Sequence, residues 1–359
     1  STVASLVLAL LMPFLGSLAD LKGNKKKFLA GTIGTGAVTL AVMGIPSDAM
    51  VFLVIYVVSS VMLNASLVFY DAFLVDAASS EERYDEVSSQ GYAWGYIGSC
   101  VPFIICLVLV LFGENFGIGQ LDGIRISFVI TAVWWLAFSV PIWRDVHQTH
   151  YKPREEHLFK NTIAGLVGTC KKIFHDRRLM MFMLAFFFYI DGVHTIIAMS
   201  TSYGTDLGIS STNLVLALLV TQFVAFPSAI AYGKLAGRFG AKTMITTAVI
   251  AYICIVLFAA FFLRSATEFW ILAILVGLFQ GGIQALSRSY YGKIIPKNRA
   301  NEYYGFYDIF GKTASIIGTF LVATTTSLTG NASVGVLSIA ILLIVALIFL
   351  LLQKDPTRK

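Results

Sequence analysis

Stretches of about 20 apolar residues, each long enough to cross the hydrocarbon core of a bilayer as an α-helix, dominate this chain. Eleven of them run through it, at 1–19, 28–46, 50–75, 90–113, 124–143, 179–201, 211–235, 243–263, 268–288, 303–326 and 332–353. In lipid every backbone N–H and C=O has to be satisfied within its own segment or in a closed barrel. Barrel strands are about ten residues long and alternate apolar with polar, whereas these runs are longer and apolar throughout. Only 13% of the chain is charged against 57% hydrophobic, while soluble domains carry roughly a quarter charged residues. The fold class is therefore all-α, polytopic and membrane-embedded.

The basic residues set the orientation. Of the 26 lysines and arginines, twenty-three fall on one side, in the turns 20–27, 79–87, 144–178, 234–242 and 288–299 and in the C-terminal tail. Arg125 and Arg264 lie on the other side, and Lys312 lies within a span. An excess of this kind marks the cytoplasmic face, so the C-terminus is expected inside the cell. Ser1 then begins outside. A bundle with an even number of spans and both ends inside needs one more helix before it, so the first of twelve helices is expected to be missing. Residues 1–19 read as a span and not as a targeting peptide, because Pro13, Gly16 and Asp20 lead into a basic turn without a cleavage-like site. The net charge of +6 thus serves topology and does not point to nucleic acid. Cys100, Cys106, Cys170 and Cys254 sit in or beside apolar runs without paired spacing and read as small packing residues.

The long basic stretch 144–178 divides five spans from six. It predicts a first helical bundle over 1–150, a linker over 151–178 and a second bundle over 179–359. Within the linker, Phe159, Ile163, Leu166, Cys170 and Ile173 recur at helical spacing with Lys160, Lys171 and Lys172 on other faces. This is the pattern of an amphipathic helix at a membrane surface, or of a tether between two halves.

An internal repeat carries the strongest architectural signal. Gly16-Ser-Leu-Ala-Asp20-Leu-Lys22-Gly23-Asn-Lys25 matches Gly233-Lys-Leu-Ala-Gly237-Arg238-Phe-Gly240-Ala-Lys242 at an offset of 217 residues. Both follow an apolar span, as a duplicated bundle requires, and such parallel repeats are common in carriers. The pattern Gly-x-x-x-Asp-basic-x-Gly-basic-basic resembles the hallmark turn of the major facilitator superfamily. Gly16, Asp20 and Gly23 match it; Leu21 takes the usual arginine position, with Lys22 displaced by one, and Lys25 to Lys27 supply the basic end. The second copy has Gly237 where the acid stands.

A narrower resemblance covers most of the chain. Tyr70-Asp71-Ala72-Phe73-Leu74, Ser88-Ser89-x-Gly91-Tyr92-Ala93-x-Gly95-Tyr96 and Tyr189-x-Asp191-Gly192 are similar to the vacuole-effluxer branch of that superfamily. So are Gly282-x-Gln284-Ala285-Leu286-Ser287-Arg288 and Gly305-x-Tyr307-Asp308-x-x-Gly311-Lys312. The chain departs from many members at Asp71, where they have asparagine, and at Val75, where they have proline. The resemblance implies two pseudo-symmetric six-helix bundles that rock around a midplane site. The eukaryotic members are associated with amino-acid efflux from the vacuole, while the bacterial members, which this compact chain resembles more, have no settled substrate. The resemblance also implies a gating role for Gly16, Asp20, Gly23, Lys25, Gly233, Arg238 and Gly240.

Ionisable groups inside a span are costly and face a cavity or a partner. Asp191 lies mid-span with His194 one turn on; they form either a proton-titrating or solute-binding pair, or a structural pair that caps a kink or bonds a neighbouring helix. Gln280, Gln284 and Arg288 recur every four residues as one polar stripe. Arg288 there either binds an anion or anchors its helix at headgroups. Asn64 and Asp71 share a face beside Tyr70, and the repeat offset makes Asp71 equivalent to Arg288. Opposite charges at such positions are a candidate gate, or else each is solvated at the membrane edge. Asp308 and Lys312, four apart beside Tyr307, either pair with each other or serve the site.

The reading that results is a secondary transporter for a small solute, coupled to protons through Asp191 and His194. Its rivals are a lipid-handling carrier or a sensor on the same fold, and an intramembrane enzyme. No HExxH, no GxxxxGK[ST] and no nucleophile with its base stands out in the sequence. Membrane lipid, a solute and a proton are the expected partners of a monomer in a bacterial plasma membrane, with no cofactor, metal or nucleic acid.

Overall fold

The computed structural model describes residues 2–153, 158–206, 208–314 and 316–353. Among them the regular structure is helical, apart from an isolated parallel bridge between Leu21 and Lys152. The helices are α1 Thr2–Ala19, α2 Lys25–Val42, α3 Ala49–Ala72, α4 Leu74–Ala77, α5 Tyr84–Phe112, α6 Gln120–Asp145 and α7 Leu158–His175. They continue as α8 Arg177–Asp206, α9 Ser211–Phe239, α10 Ala241–Phe262, α11 Ala266–Ile294, α12 Ala300–Thr313, α13 Ile316–Thr329 and α14 Ala332–Leu352.

Every apolar run expected to span corresponds to helix. Nine helical stretches among the described residues are long and apolar enough to cross a membrane, one of them the stretch 297–329 that α12 and α13 share. The remaining two of the eleven expected spans, α1 and α2, have 18 residues each, and α2 opens on Lys25, Lys26 and Lys27. The run at 303–326 is two helices, α12 and α13, interrupted at Ala314. Several helices overrun their apolar stretch, α5 by starting at Tyr84 and α11 by ending at Ile294. Polar residues cost nothing in a helix once it has left the lipid, so hydropathy places the span and not the helix end.

The repeat has a backbone cause. Gly23 and Gly240, equivalent by the 217-residue offset, both have positive φ, 77° and 87°, a conformation that residues with a Cβ rarely adopt. Gly16 and Gly233 are equivalent in close approach. A Cβ on Gly16 would lie 2.7 Å from the carbonyl carbon of Asn301, and one on Gly233 would lie 2.6 Å from Cβ of Ser89. The first closes on the start of α12 and the second on the start of α5.

Two compact units result. The first comprises 1–79, 98–169 and 295–309, and the second 80–97, 170–294 and 310–359. In the first, α2 packs on α3 and α6, while Val54, Val133 and Phe138 point outward, as lipid-facing side chains do. In the second, α11 lies on α9 through small residues. A Cβ on Gly277 would press on the Thr221 carbonyl at 2.8 Å, and one on Gly281 on the Ala225 carbonyl at 2.9 Å, the close helix approach that small residues permit. Helices α8, α10, α13 and α14 complete that unit. The linker helix expected within 151–178 is α7, on which Ile173 is buried and Leu166 and Cys170 are half-buried. Residues 154–157 and the side chains of Phe159 and Ile163 lie outside the described residues.

Candidate functional site

In the second unit, a buried carboxylate meets the start of a helix. Asp191 stands on α8 with its side chain wholly buried. Its Oδ1 accepts the Thr195 hydroxyl at 3.3 Å and the backbone N–H of Gly318 at 3.0 Å. Gly318 is the third residue of α13, where N–H groups have no intrahelical partner and negative charge is favoured. The fit is tight, because a Cβ on Gly318 would fall 2.7 Å from Asp191 Oδ1 and closer still to Thr195 Oγ1. His194 is half-buried one turn on, near enough to Lys312 for their charges to interact.

The polar stripe of α11 is engaged with the beginning of α5. Arg288 is 4% exposed, where headgroup anchoring would leave it open. Its Nε donates to Ser88 Oγ at 2.9 Å, its Nη2 donates to Ser88 O at 3.0 Å, and its guanidinium lies 4.7 Å from the centre of the Tyr92 ring. One turn earlier Gln284 Oε1 accepts the Tyr96 hydroxyl at 2.7 Å. Between them the Ser287 and Tyr189 hydroxyls bond at 2.6 Å. Gln280 lies beside an apolar cavity of about 60 Å³ bounded by Ser200, Thr221 and Leu272. Asp85, at the start of α5, accepts Ser289 Oγ and Lys293 Nζ, each at 2.6 Å.

In the first unit, the turn after α1 holds the start of α12. Asp20 is 1% exposed. Its carboxylate accepts Asn301 N at 2.9 Å, Asn301 Nδ2 at 2.8 Å and Glu302 N at 3.0 Å. Burial pushes its pKa from 3.8 up to about 6, against the opposing pull of Lys25, Lys152 and the Asn301 donors. Lys25 reaches Asp76 Oδ2 at 2.6 Å with both side chains inaccessible, and donates to Ala72 O at 3.0 Å.

A strap from the segment after α6 closes over this turn. Lys152 N donates to Asp20 O at 2.8 Å, and Gly23 N donates to Gln148 Oε1 at 2.9 Å. Thr149 N and His150 N both donate to Asp76 Oδ1 at 2.9 Å. Lys152 Nζ pairs with the wholly buried Glu302.

The other expected residues are more scattered. Asn64 donates to Ser60 O at 2.7 Å on its own helix; Tyr70 is exposed and Asp71 half-buried on α3. Asp71 and Arg288 belong to different units. Tyr307 is buried on α12, with Asp308 and Lys312 half-buried one turn apart on that helix. Arg238 is exposed beside the Phe239 ring. Sequence reading passed over Asp76, Lys152, Glu302, Asp85 and Lys293. The signal available for two of them was position, since Asp85 and Glu302 both open a helix and both are buried acids facing a lysine.

Comparison with known proteins agrees with this architecture. The family described as "Vacuole effluxer Atg22 like" matches residues 75–356. The "Uncharacterized MFS-type transporter YxiO" of Bacillus subtilis strain 168 is 45% identical over 359 residues, covering 99% of this chain and 83% of that one. "Autophagy-related protein 22" of Cryptococcus neoformans is 25% identical over 306 residues, 76% of this chain. The match spans 52% of that fungal relative, about half its length. Among solved structures, the E. coli fucose:proton symporter FucP aligns over 96% of this chain and 87% of its own, with a TM-score of 0.71 at 14% identity. That likeness shows the major facilitator fold. Fold, motif positions and sequence matches converge: the chain belongs to the Atg22-like vacuole effluxer family of MFS-type transporters.

Proposed function

We propose that the chain is a secondary active transporter which carries a small solute, an amino acid, by alternating access, and that protons couple the cycle through Asp191. The observation that carries this reading is the buried Asp191 carboxylate at the start of α13. A charge there, inside a membrane-crossing helix, is expensive unless it is used. When ionised, Asp191 holds the first turn of α13 by charge and hydrogen bond. When protonated, it gives up the charge and loosens that hold, so α13 becomes free to shift against α8. His194 and Lys312 set the local field in which the proton is taken or lost. Gln280 and Gln284 offer amide groups to the solute, and Asp20, on the cytoplasmic side, fastens α12 in the resting arrangement.

The description of the matched family as vacuole effluxers supports efflux as the direction, and the fucose:proton symporter FucP is a precedent for proton coupling on this fold. The test is uptake of a mixed amino-acid panel into proteoliposomes with and without an inward-directed proton gradient, for the natural protein and Asp191→Asn. Gradient-stimulated uptake that disappears in Asp191→Asn is the expected result. Uptake indifferent to both gradient and substitution removes Asp191 from the mechanism. A correctly folded protein that moves no amino acid overturns the substrate class.

A further inference from the structure

Helix α7 is separated from α8 by Asp176 alone. The Asp176 carboxylate accepts the backbone N–H of Arg178 at 2.9 Å and of Leu179 at 3.2 Å, so the corner residue caps the first turn of α8. One face of α7 is used internally, where Thr169 and Ile173 are buried and Thr169 Oγ1 accepts Arg299 Nη1 at 3.0 Å. On another face Val167, Lys171 and Phe174 follow at intervals of four and three residues, which stacks them in one row. Val167 is 53% exposed and Phe174 is 63% exposed. Lys171, Lys172, His175, Arg177 and Arg178 are all exposed around them. The single acid of this stretch, Asp176, is occupied in capping α8.

Position decides what such a face meets. Phe174 lies three residues before Arg177, the first residue of a helix long and apolar enough to cross a membrane. Its ring therefore stands close to the plane where that helix enters lipid. Apolar side chains set among basic ones at that depth match both parts of an anionic phospholipid, acyl chain and phosphate. A soluble protein would have to displace the bilayer to reach the same row.

We infer that the open face of α7 is a binding surface for anionic phospholipid, with Val167 and Phe174 in the acyl boundary and Lys171, Lys172 and Arg177 at the headgroup phosphate. The surface is independent of the proposed transport cycle. Each lysine near a negative membrane surface strengthens association about fivefold, so the double change Lys171→Gln/Lys172→Gln removes most of the preference for anionic over zwitterionic lipid.

The test places an environment-sensitive fluorophore at Phe174→Cys in the full chain, with Cys106, Cys170 and Cys254 replaced by serine. The protein is reconstituted in phosphatidylcholine vesicles doped with spin-labelled phosphatidylglycerol or spin-labelled phosphatidylcholine. Quenching severalfold stronger by the anionic lipid, reduced severalfold by Lys171→Gln/Lys172→Gln and by high salt, is the expected outcome. Native mass spectrometry of the unlabelled protein, which keeps Phe174, should show more retained phosphatidylglycerol than in the lysine double variant. Equal quenching by both lipids overturns the inference, as does quenching by aqueous iodide in place of lipid. Displacement of phosphatidylglycerol by inorganic phosphate overturns it too, since the surface would then recognise phosphate and not lipid.

Discussion

The Lys25–Asp76 pair offers a sharp test of how the first unit is held together. Both side chains are inaccessible and 2.6 Å apart. Removing one partner of a buried ion pair leaves the other charge stranded, at a cost of about 3–5 kcal/mol. In Lys25→Met the Asp76 carboxylate keeps Thr149 N at 2.9 Å, Thr149 Oγ1 at 2.7 Å and His150 N at 2.9 Å, which puts the loss near the lower end, about 3 kcal/mol. In Asp76→Asn the amide oxygen still accepts from Thr149 and His150, while Lys25 retains Ala72 O and the Phe73 ring at 4.9 Å. That loss is again about 3 kcal/mol. Independent losses would sum to roughly 6 kcal/mol in the double variant. With both charges gone and the strap's acceptor kept, the double variant should lose only about 2–3 kcal/mol, a coupling of roughly 3 kcal/mol. The measurement is unfolding in mixed micelles by SDS titration, followed by tryptophan fluorescence for all four proteins of the cycle. Additive losses, or a Lys25→Met cost below about 1 kcal/mol, would refute the assignment of a desolvated, mutually dependent pair.

Three further outcomes follow from the same geometry. The Asp20 pKa is raised from 3.8 to about 6, so its stabilising contribution is complete below pH 4 and is lost as pH rises through 6. Between pH 5 and 7 that loss is about 1 kcal/mol, and Asp20→Asn should flatten the slope of unfolding free energy against pH over this interval. Gly23→Ala and Gly240→Ala should each destabilise by about 1 kcal/mol or more, because both have positive φ and open space for a Cβ; a cost near zero at either position in thermal unfolding would contradict a conformational origin. Gly237→Asp restores the acid of the first repeat, but it places a carboxylate in the last turn of α9, beside a cavity of about 320 Å³ bounded by Glu82, Asp85, Glu86 and Lys234. It should be less stable than Gly237→Asn by about 1 kcal/mol, with a gap that narrows in high salt.

The spans were legible because bilayer thickness fixes the length of an apolar run, and so were Asp20 and Asp191, since a charge beside or inside such a run must be accounted for. The interruption between α12 and α13 left no mark. Lys312 stands two residues before Ala314, but Thr313 and the residues that follow are small or apolar, and no proline marks the break. What holds α13 there is Asp191, 127 residues away. The strap was equally hidden. Gln148, Thr149, His150 and Lys152 lie in the long basic stretch 144–178, and nothing in the sequence around Asp76 or Glu302 sets those acids apart. Their partners lie 73 to 150 residues off, beyond the reach of any periodicity.

The repeat itself conceals an asymmetry of charge. Its glycines do the same backbone work in both copies, with positive φ at Gly23 and Gly240 and close approach at Gly16 and Gly233. The acid does not. In the first copy a carboxylate on the turn, Asp20, fastens the start of α12, and the buried acid of that helix, Glu302, is matched by Lys152 from the strap. In the second copy the turn has Gly237, and the start of α5 is fastened instead through its own Asp85 by Ser289 and Lys293 of α11. Duplication has thus preserved the shape of the contact while moving the charge from the turn to the helix. The first contact rests on a carboxylate with a pKa near 6 and on a strap from the segment after α6, so its stability varies with pH. The second depends on α11, the helix that also carries Gln280, Gln284 and Arg288, so whatever displaces that polar stripe acts on the start of α5. The two contacts share a shape and differ in what holds them, a carboxylate on the turn with its strap in the first copy and the side chains of α11 in the second.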